Sequence, residues 1–174
     1  MGIEQIEAAV RDIRDFPEPG IIFKDITPIL GSVELFREVI DLMCKDYLDD
    51  SPDYIVGIDS RGFIFGSAMA YKLGCGFVPV RKKGKLPYTT YEASYALEYG
   101  SATVEIHTDA LEKGDKVVIV DDLLATGGTA SASVDLIEKL GADIIGIDFL
   151  IELAFLNGRE KLDGYKVNTL IVVD

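Results

Sequence analysis

Fourteen residues hold the most legible chemistry in this chain: Val117-Val118-Ile119-Val120-Asp121-Asp122-Leu123-Leu124-Ala125-Thr126-Gly127-Gly128-Thr129-Ala130. Val117 to Val120 is an unbroken β-branched run, as expected of a parallel strand covered on both faces. Asp121 and Asp122 stand at its carboxyl end, where open α/β sheets bind ligands. Gly127 and Gly128 allow a sharp turn and a close backbone approach. Backbone N–H groups there, at the start of the following helix, form an anion site assisted by the helix dipole. Thr126 and Thr129 add hydroxyl donors. The set suits a sugar phosphate: carboxylates for sugar hydroxyls, the loop for the phosphate. The blander reading is a helix cap after an ordinary strand, but two acids, a glycine pair and flanking threonines in this order argue against chance. Neither commoner phosphate loop is present. There is no G-x-x-x-x-G-K-[ST], and the approach to G-x-G-x-x-G at Gly74 and Gly76 has Pro79 in its last place.

Two more segments have anion-binding character. Asp59-Ser60-Arg61-Gly62 follows the apolar run Tyr54 to Ile58 and opens a helix. Arg61 offers a planar fork to phosphate; a plain cap by Asp59 or Ser60 is compatible with that role. Arg81-Lys82-Lys83-Gly84-Lys85 gathers four of the seventeen basic residues of a chain whose net charge is −13. It reads as a clamp for a polyanion or as a solvated turn. Residues 81–100 make a loop long enough to be a lid, carrying Tyr88, Tyr91, Tyr95 and Tyr99. A β-arm packed on a second subunit is the alternative, and one arm can do both.

The elements that must position these groups alternate. Helical spacing of Ile3, Ile6, Val10 and Ile13 predicts a helix over 3–13, followed by a proline- and glycine-rich loop from Phe16 to Pro28. Ser32 caps a helix running to about Tyr47. Then come a strand Tyr54–Ile58, a helix Arg61–Leu73 ending at Gly74, and a strand Phe77–Arg81. Residues 82–95 read as a polar loop, and Tyr95–Tyr99 with Ala102–His107 as a hairpin turning at Gly100-Ser101. Lys116–Val120, a helix to Leu140, and strands Asp143–Ile151 and Val167–Val172 complete the pattern. Strands alternating with helices predict an α/β fold with a mainly parallel sheet flanked by helices.

A chain of 174 residues fits one domain, 1–174, with a proper core. Its acidity argues against nucleic acid or an anionic membrane as a general partner. Cys44 and Cys75 show neither metal spacing nor a disulfide framework. Residues 3–13 are charged and amphipathic rather than a signal peptide, and no apolar run approaches the roughly 20 residues of a membrane span. A reducing, cytoplasmic setting is the expectation. His107, the only histidine, has no partner motif and reads as structural.

The Asp121–Thr129 segment resembles the signature of the type I phosphoribosyltransferases, which bind 5-phosphoribosyl-1-pyrophosphate (PRPP). Three other segments narrow the resemblance to the adenine-using members. They are Pro19-Gly20-Ile21-Ile22-Phe23-Lys24-Asp25-Ile26-Thr27-Pro28, Asp59-Ser60-Arg61-Gly62-Phe63, and Arg81 to Pro87 continuing through Ala93-Ser94-Tyr95-Ala96-Leu97-Glu98-Tyr99-Gly100. Order and spacing match across nearly the whole chain.

The resemblance implies a type I fold with a small hood, to which about 1–31 contribute, and a flexible lid hairpin at about 82–102. It implies a reaction: adenine and PRPP give AMP and pyrophosphate, with Mg²⁺ bound alongside PRPP. Ala125, Thr126, Gly127, Gly128 and Thr129 would hold the 5′-phosphate, and Asp121 and Asp122 the ribose hydroxyls. Asp59, Ser60, Arg61, Gly62, Arg81, Lys82 and Lys85 would hold pyrophosphate. Ile22, Phe23 and Lys24 would form the base pocket, with Lys24 standing where many relatives carry arginine. Glu98 would be the lid residue that manages the proton at the base. No direct protein ligand to the metal is assigned. The family pattern further implies a cis Asp59–Ser60 peptide and a homodimer in which a lid lysine reaches the partner's site. Two rivals stay open: a sibling acting on a 6-oxopurine, and a regulator that binds PRPP without turnover.

Overall fold

In the computed structural model, which describes residues 2–174, the chain forms two compact units that meet in sequence between Met43 and Cys44. The first contains α1 (Ile3–Ala9), β1 (Arg11–Arg14), β2 (Ile22–Asp25), α2 (Thr27–Leu30) and most of α3 (Val33–Cys44). The helix expected over 3–13 therefore stops four residues early. Val10 is already extended, and Arg11 to Arg14 pair antiparallel with Ile22 to Asp25. Ion pairs Arg11–Asp25 at 3.4 Å and Lys24–Asp12 at 2.7 Å tie these strands. Partners so far apart in sequence leave no trace in local periodicity, which is why the loop expected over 16–28 conceals both β2 and α2. The α3 start is as expected: Ser32 Oγ accepts the Leu35 N–H at 3.3 Å.

The second unit carries β3 (Tyr54–Ile58), α4 (Arg61–Leu73), β4 (Gly76–Lys82), β5 (Thr90–Ala96), β6 (Ser101–His107), β7 (Lys116–Leu124), α5 (Gly128–Leu140), β8 (Asp143–Leu153) and β9 (Val167–Val173). They form one sheet in the order β5-β6-β4-β3-β7-β8-β9. The five strands from β4 to β9 in that order are parallel; β5 and β6 add an antiparallel margin. The α/β, mainly parallel architecture is thus as the sequence predicts. Because successive strand residues face opposite sides, the two helices can be assigned to faces. Val56, Ile58, Val117 and Ile119 share a buried cluster with Val134, Leu136 and Ile137 of α5. On the other face, Gly66 of α4 lies against Ile55 and Gly57.

The expected bounds shift most at β5 and β7. The polar stretch 82–95 is a short turn followed by β5, which begins at Thr90 rather than Tyr95. Tyr91, Ala93 and Tyr95 pack toward the core while Glu92, Ser94 and Ala96 face solvent. That alternation belongs to a half-buried strand, but its polar members make it look like a loop. Likewise β7 continues through the acidic pair to Leu124, because Asp121, Leu123 and Leu124 pair with Phe149, Ile151 and Glu152 of β8.

A buried polar cluster pins β8 and β9 to the segment after α3. Tyr47 Oη donates to Asp148 Oδ1 at 2.9 Å, and Asn168 Nδ2 donates to the same oxygen at 2.8 Å. Burial pushes the Asp148 carboxyl up to about 6, against the pull of those two donors. The unfolded chain releases this proton near the ordinary 3.8. Between these values the folded state binds more protons, so stability falls as pH rises, by roughly 3 kcal/mol for this group, and is flat above. Asp148→Asn keeps the accepting oxygen and loses the titration. Urea unfolding should show the stability difference, variant minus wild type, growing by a few kcal/mol from pH 4 to pH 7. A difference independent of pH would contradict this account.

Candidate active site

The carboxyl ends of β3 and β7 lie beside each other in the sheet, which brings the two anion-ready loops together. Arg61, the first residue of α4, places Nε 2.7 Å from Asp122 Oδ2. The Asp122 side chain is 6% exposed, and Asp121 Oδ1 accepts its backbone N–H at 2.9 Å. Gly62 makes the approach possible: a Cβ there would stand 2.6 Å from the Val120 carbonyl oxygen and 3.0 Å from Asp121 Oδ1. Burial raises the Asp121 carboxyl well above the usual carboxylate range, and the charge of Asp122 raises it further. Burial also raises Asp122, with Arg61 pulling the other way. Two carboxyls so close resist ionising together, and Arg61 biases the negative charge toward Asp122.

At the end of β3 the Asp59–Ser60 peptide is cis, as the resemblance implies. Asp59 Oδ2 accepts from Arg81 Nε and from the Lys82 N–H, each at 3.3 Å. The structure thus joins Asp59, Arg81 and Lys82 across β3 and β4. Lys85 is held differently. Its N–H and that of Leu86 reach Glu105 Oε1 at 2.9 and 2.8 Å, so Lys85 belongs to a turn organised by a buried glutamate. Burial works to raise the Glu105 carboxyl, but N–H donors from Leu86, Gly84 and Lys85 outweigh it and hold it low. Sequence reasoning missed Glu105; the signal was one acid between Val104 and Ile106 in an apolar alternation.

Beyond β7, Ala125 to Thr129 form the turn into α5. Gly127 has φ +78°, left-handed backbone that only glycine adopts readily. Asp121, Leu123, Thr126, Gly127, Gly128 and Thr129 are among the residues lining a cavity of about 70 Å³. That is too small for a whole ligand of ordinary size and suits one compact group of it. Two contacts invisible in the local sequence shape this loop. A Cβ on Gly158 would strike the Ala125 carbonyl oxygen, and one on Gly127 the Gly158 carbonyl oxygen. Thr129 Oγ1 lies 2.9 Å from Tyr95 Oη of β5.

Of the remaining candidates, Glu98 lies in the β5–β6 turn, and Ile22, Phe23 and Lys24 lie in the first unit. Glu98 is exposed in the β5–β6 turn, where the Leu97 N–H bonds the Gly100 carbonyl at 3.0 Å. In the first unit, Ile22 is half exposed, Phe23 makes an edge contact with Phe16, and Lys24 is paired with Asp12. His107 is structural, accepting the Tyr88 N–H at 3.3 Å through Nε2. Cys44, which is buried, and Cys75 form no disulfide. Among the described residues no helix is long and apolar enough to cross a membrane.

A seven-stranded sheet with a glycine turn and acidic pair at one strand's end defines a sugar-phosphate-binding α/β protein. Residues 27–173 match the family described as "Phosphoribosyl transferase domain". The chain is 57% identical over 163 residues to an adenine phosphoribosyltransferase of Thermotoga sp. (strain RQ2), covering 94% of this chain and 96% of that protein. It superposes on the crystal structure of adenine phosphoribosyltransferase from Thermoanaerobacter pseudethanolicus with a TM-score of 0.95, at 51% identity over 98% of this chain and 99% of the other. The Saccharomyces cerevisiae adenine phosphoribosyltransferase, crystallised with an imino-altritol bisphosphate and adenine, gives 0.92 at 44% identity over 97% of each chain. The chain belongs to the phosphoribosyltransferase family, within its adenine phosphoribosyltransferase branch.

Proposed function

We propose that this enzyme transfers the 5-phosphoribosyl group of PRPP to adenine, giving AMP and pyrophosphate in purine salvage. The observation that carries the reading is the meeting, on β7, of a buried Arg61-paired carboxylate with a glycine turn that opens a phosphate-sized cavity.

In this reading Ala125 to Thr129 hold the 5′-phosphate through N–H groups and hydroxyls. Asp121 and Asp122 bind the ribose hydroxyls. As the C1–oxygen bond to pyrophosphate breaks, the sugar becomes oxocarbenium-like, and the charge on Asp122 lies where positive charge develops. Asp59 to Gly62 with Arg81, Lys82 and Lys85 receive the pyrophosphate. Ile22, Phe23 and Lys24 line the base, whose ring nitrogen forms the new bond to C1. Glu98 takes up the proton that this nitrogen loses.

Mg²⁺ keeps its waters and binds through substrate phosphates, so the proposal assigns it no direct protein ligand. When bound, it supplies positive charge to the leaving pyrophosphate. Residues 1–31 serve as part of a hood and 82–102 as a lid within one catalytic domain. A homodimer in which a lid lysine reaches the partner's site, and a cytoplasmic location in keeping with two cysteines that form no disulfide, complete the proposal.

The test is AMP formation from PRPP, Mg²⁺ and adenine, with hypoxanthine, guanine and xanthine in parallel. Turnover confined to adenine, and abolished by chelator, is expected. Turnover with a 6-oxopurine would overturn the base pocket. PRPP binding without turnover would replace the enzyme reading by a regulatory one.

A further inference from the structure

The chain between β8 and β9 has little apolar burial to fix it: of residues 154–161 only Gly158 is buried. Arg159 supplies the anchor. Its Nε donates to Glu152 Oε1 at 2.9 Å and its Nη2 to Glu152 Oε2, a side-on fork. Its Nη1 donates to the Val167 carbonyl at 2.9 Å, and Nη2 also reaches Thr169 Oγ1 at 3.3 Å. Thr169 in turn donates to Glu152 Oε2 at 3.1 Å. The Glu152 side chain is 8% exposed, and the Arg159 fork holds its carboxyl below the usual range. One arginine thus clamps the loop to β8 and β9 together.

The residue beside this clamp meets the turn after β7, backbone against backbone. A Cβ on Gly158 would strike the Ala125 carbonyl oxygen and stand 2.9 Å from the Gly127 nitrogen and 3.0 Å from the Thr126 carbonyl carbon. In the other direction, a Cβ on Gly127 would strike the Gly158 carbonyl oxygen. No flexible side chain stands at this contact to absorb a shift, so close packing passes it on. We propose that Arg159 is a positioning residue for the 5′-phosphate site: by clamping Glu152 and β9 it seats Gly158 against the Ala125–Gly127 backbone, and so sets where the N–H groups of that turn point. The inference rests on the reading of Ala125 to Thr129 as the 5′-phosphate site. Hydrogen bonds weaken steeply as their angle closes, so a turn that drifts loses several phosphate contacts at once. Lysine cannot replace the clamp, because a point charge does not hold two carboxylate oxygens and a carbonyl in one plane.

The experiment compares wild type, Arg159→Lys, Glu152→Gln and the double variant, with Thr126→Asp as a separate probe of the site. Lysine leaves a positive charge beside Glu152, so no buried charge is stranded. Thr126 is exposed, so aspartate there keeps the fold and repels a phosphate. Calorimetry measures ribose 5-phosphate and, separately, Mg²⁺-pyrophosphate, alongside PRPP kinetics and a melting curve. Arg159→Lys should weaken ribose 5-phosphate roughly tenfold, short of the roughly hundredfold that a misplacement of about 1 Å can cost, and leave pyrophosphate within about twofold. KM for PRPP should rise by a similar factor. Glu152→Gln keeps the shape and half of the fork, and should weaken ribose 5-phosphate roughly threefold; it carries the comparison if Arg159→Lys does not fold. The double variant should lose no more than Arg159→Lys alone, because both changes break one clamp. Wild-type affinity in the clamp variants would overturn the positioning role, and so would additive losses in the double variant. Equal losses for both ligands would mark the clamp as merely structural and overturn it too. Thr126→Asp should weaken ribose 5-phosphate roughly tenfold or more. If it binds as wild type does, the 5′-phosphate reading itself fails; if it loses binding while the clamp variants do not, only the role of Arg159 fails.

Discussion

Asp122→Asn is expected to yield a folded protein that forms AMP at less than about one-hundredth of the wild-type rate. The substitution preserves shape, so the backbone contact to Asp121 and the packing of β7 persist. It removes the charge that Arg61, at 2.7 Å, holds in place. Arg61 is 40% exposed, so water can solvate it once the carboxylate is gone, and its charge is not stranded in the core. The fold loses little for this reason. In the proposed reading, the reaction loses the buried negative group facing the sugar as its C1–oxygen bond breaks, where a fixed charge in a dry site has its greatest effect. Steady-state kinetics with a melting curve beside them decide the matter. Near-normal kcat would refute the role given to Asp122, and a collapsed melting temperature would show a structural role instead.

Gly127→Ala should lower stability by about 3 kcal/mol, combining a left-handed backbone cost of about 1–2 kcal/mol with overpacking of about 1–3 kcal/mol. The residue sits at φ +78°, and its Cβ would press on the Gly158 carbonyl oxygen, a backbone atom that cannot swing aside. For a chain of this length the melting temperature should drop by roughly 10 °C. Gly164→Ala provides the control. Its φ is +91° with no atom within 4 Å of the new carbon, so only the backbone cost of about 1–2 kcal/mol applies. The gap between the two variants measures the contact between the Ala125–Thr129 turn and the segment after β8. Equal losses would mean that this contact is soft.

The catalytic candidates that sequence reasoning named best are those contiguous in the chain. Asp121 to Thr129 follow one another through a strand end, a turn and a helix start, so one window holds the acids, the glycines and the hydroxyls. Tyr54–Ile58 and Arg61–Leu73 were legible to the residue. A buried parallel strand is an unbroken apolar run, and Gly74 at φ +71° ends α4 as a left-handed cap does. The cis Asp59–Ser60 bond came from resemblance, not from any property of those two side chains.

Elsewhere the sequence was a poorer guide, and for one physical reason. Helix periodicity is carried by residues three or four apart and strand alternation by residues two apart, so either can be read along the chain. Pairing across a sheet is not encoded at any fixed spacing. Thus β1 looked like the end of a helix until Arg11 found Asp25. The start of β5 looked like a loop until Tyr91, Ala93 and Tyr95 were seen against α5. The site's supports are of the same kind: Glu105 reaches the Lys85 N–H across 20 residues, Tyr95 reaches Thr129 across 34, and Tyr47 reaches Asp148 across 101. The sequence by itself determined the chemical groups, the family and the alternating parallel fold, because each is written in contiguous residues. The tertiary structure decided which carboxylate Arg61 holds, which glutamate orders the basic turn and which tyrosine accepts from Thr129. Those choices depend on packing distances between elements that no local pattern contains.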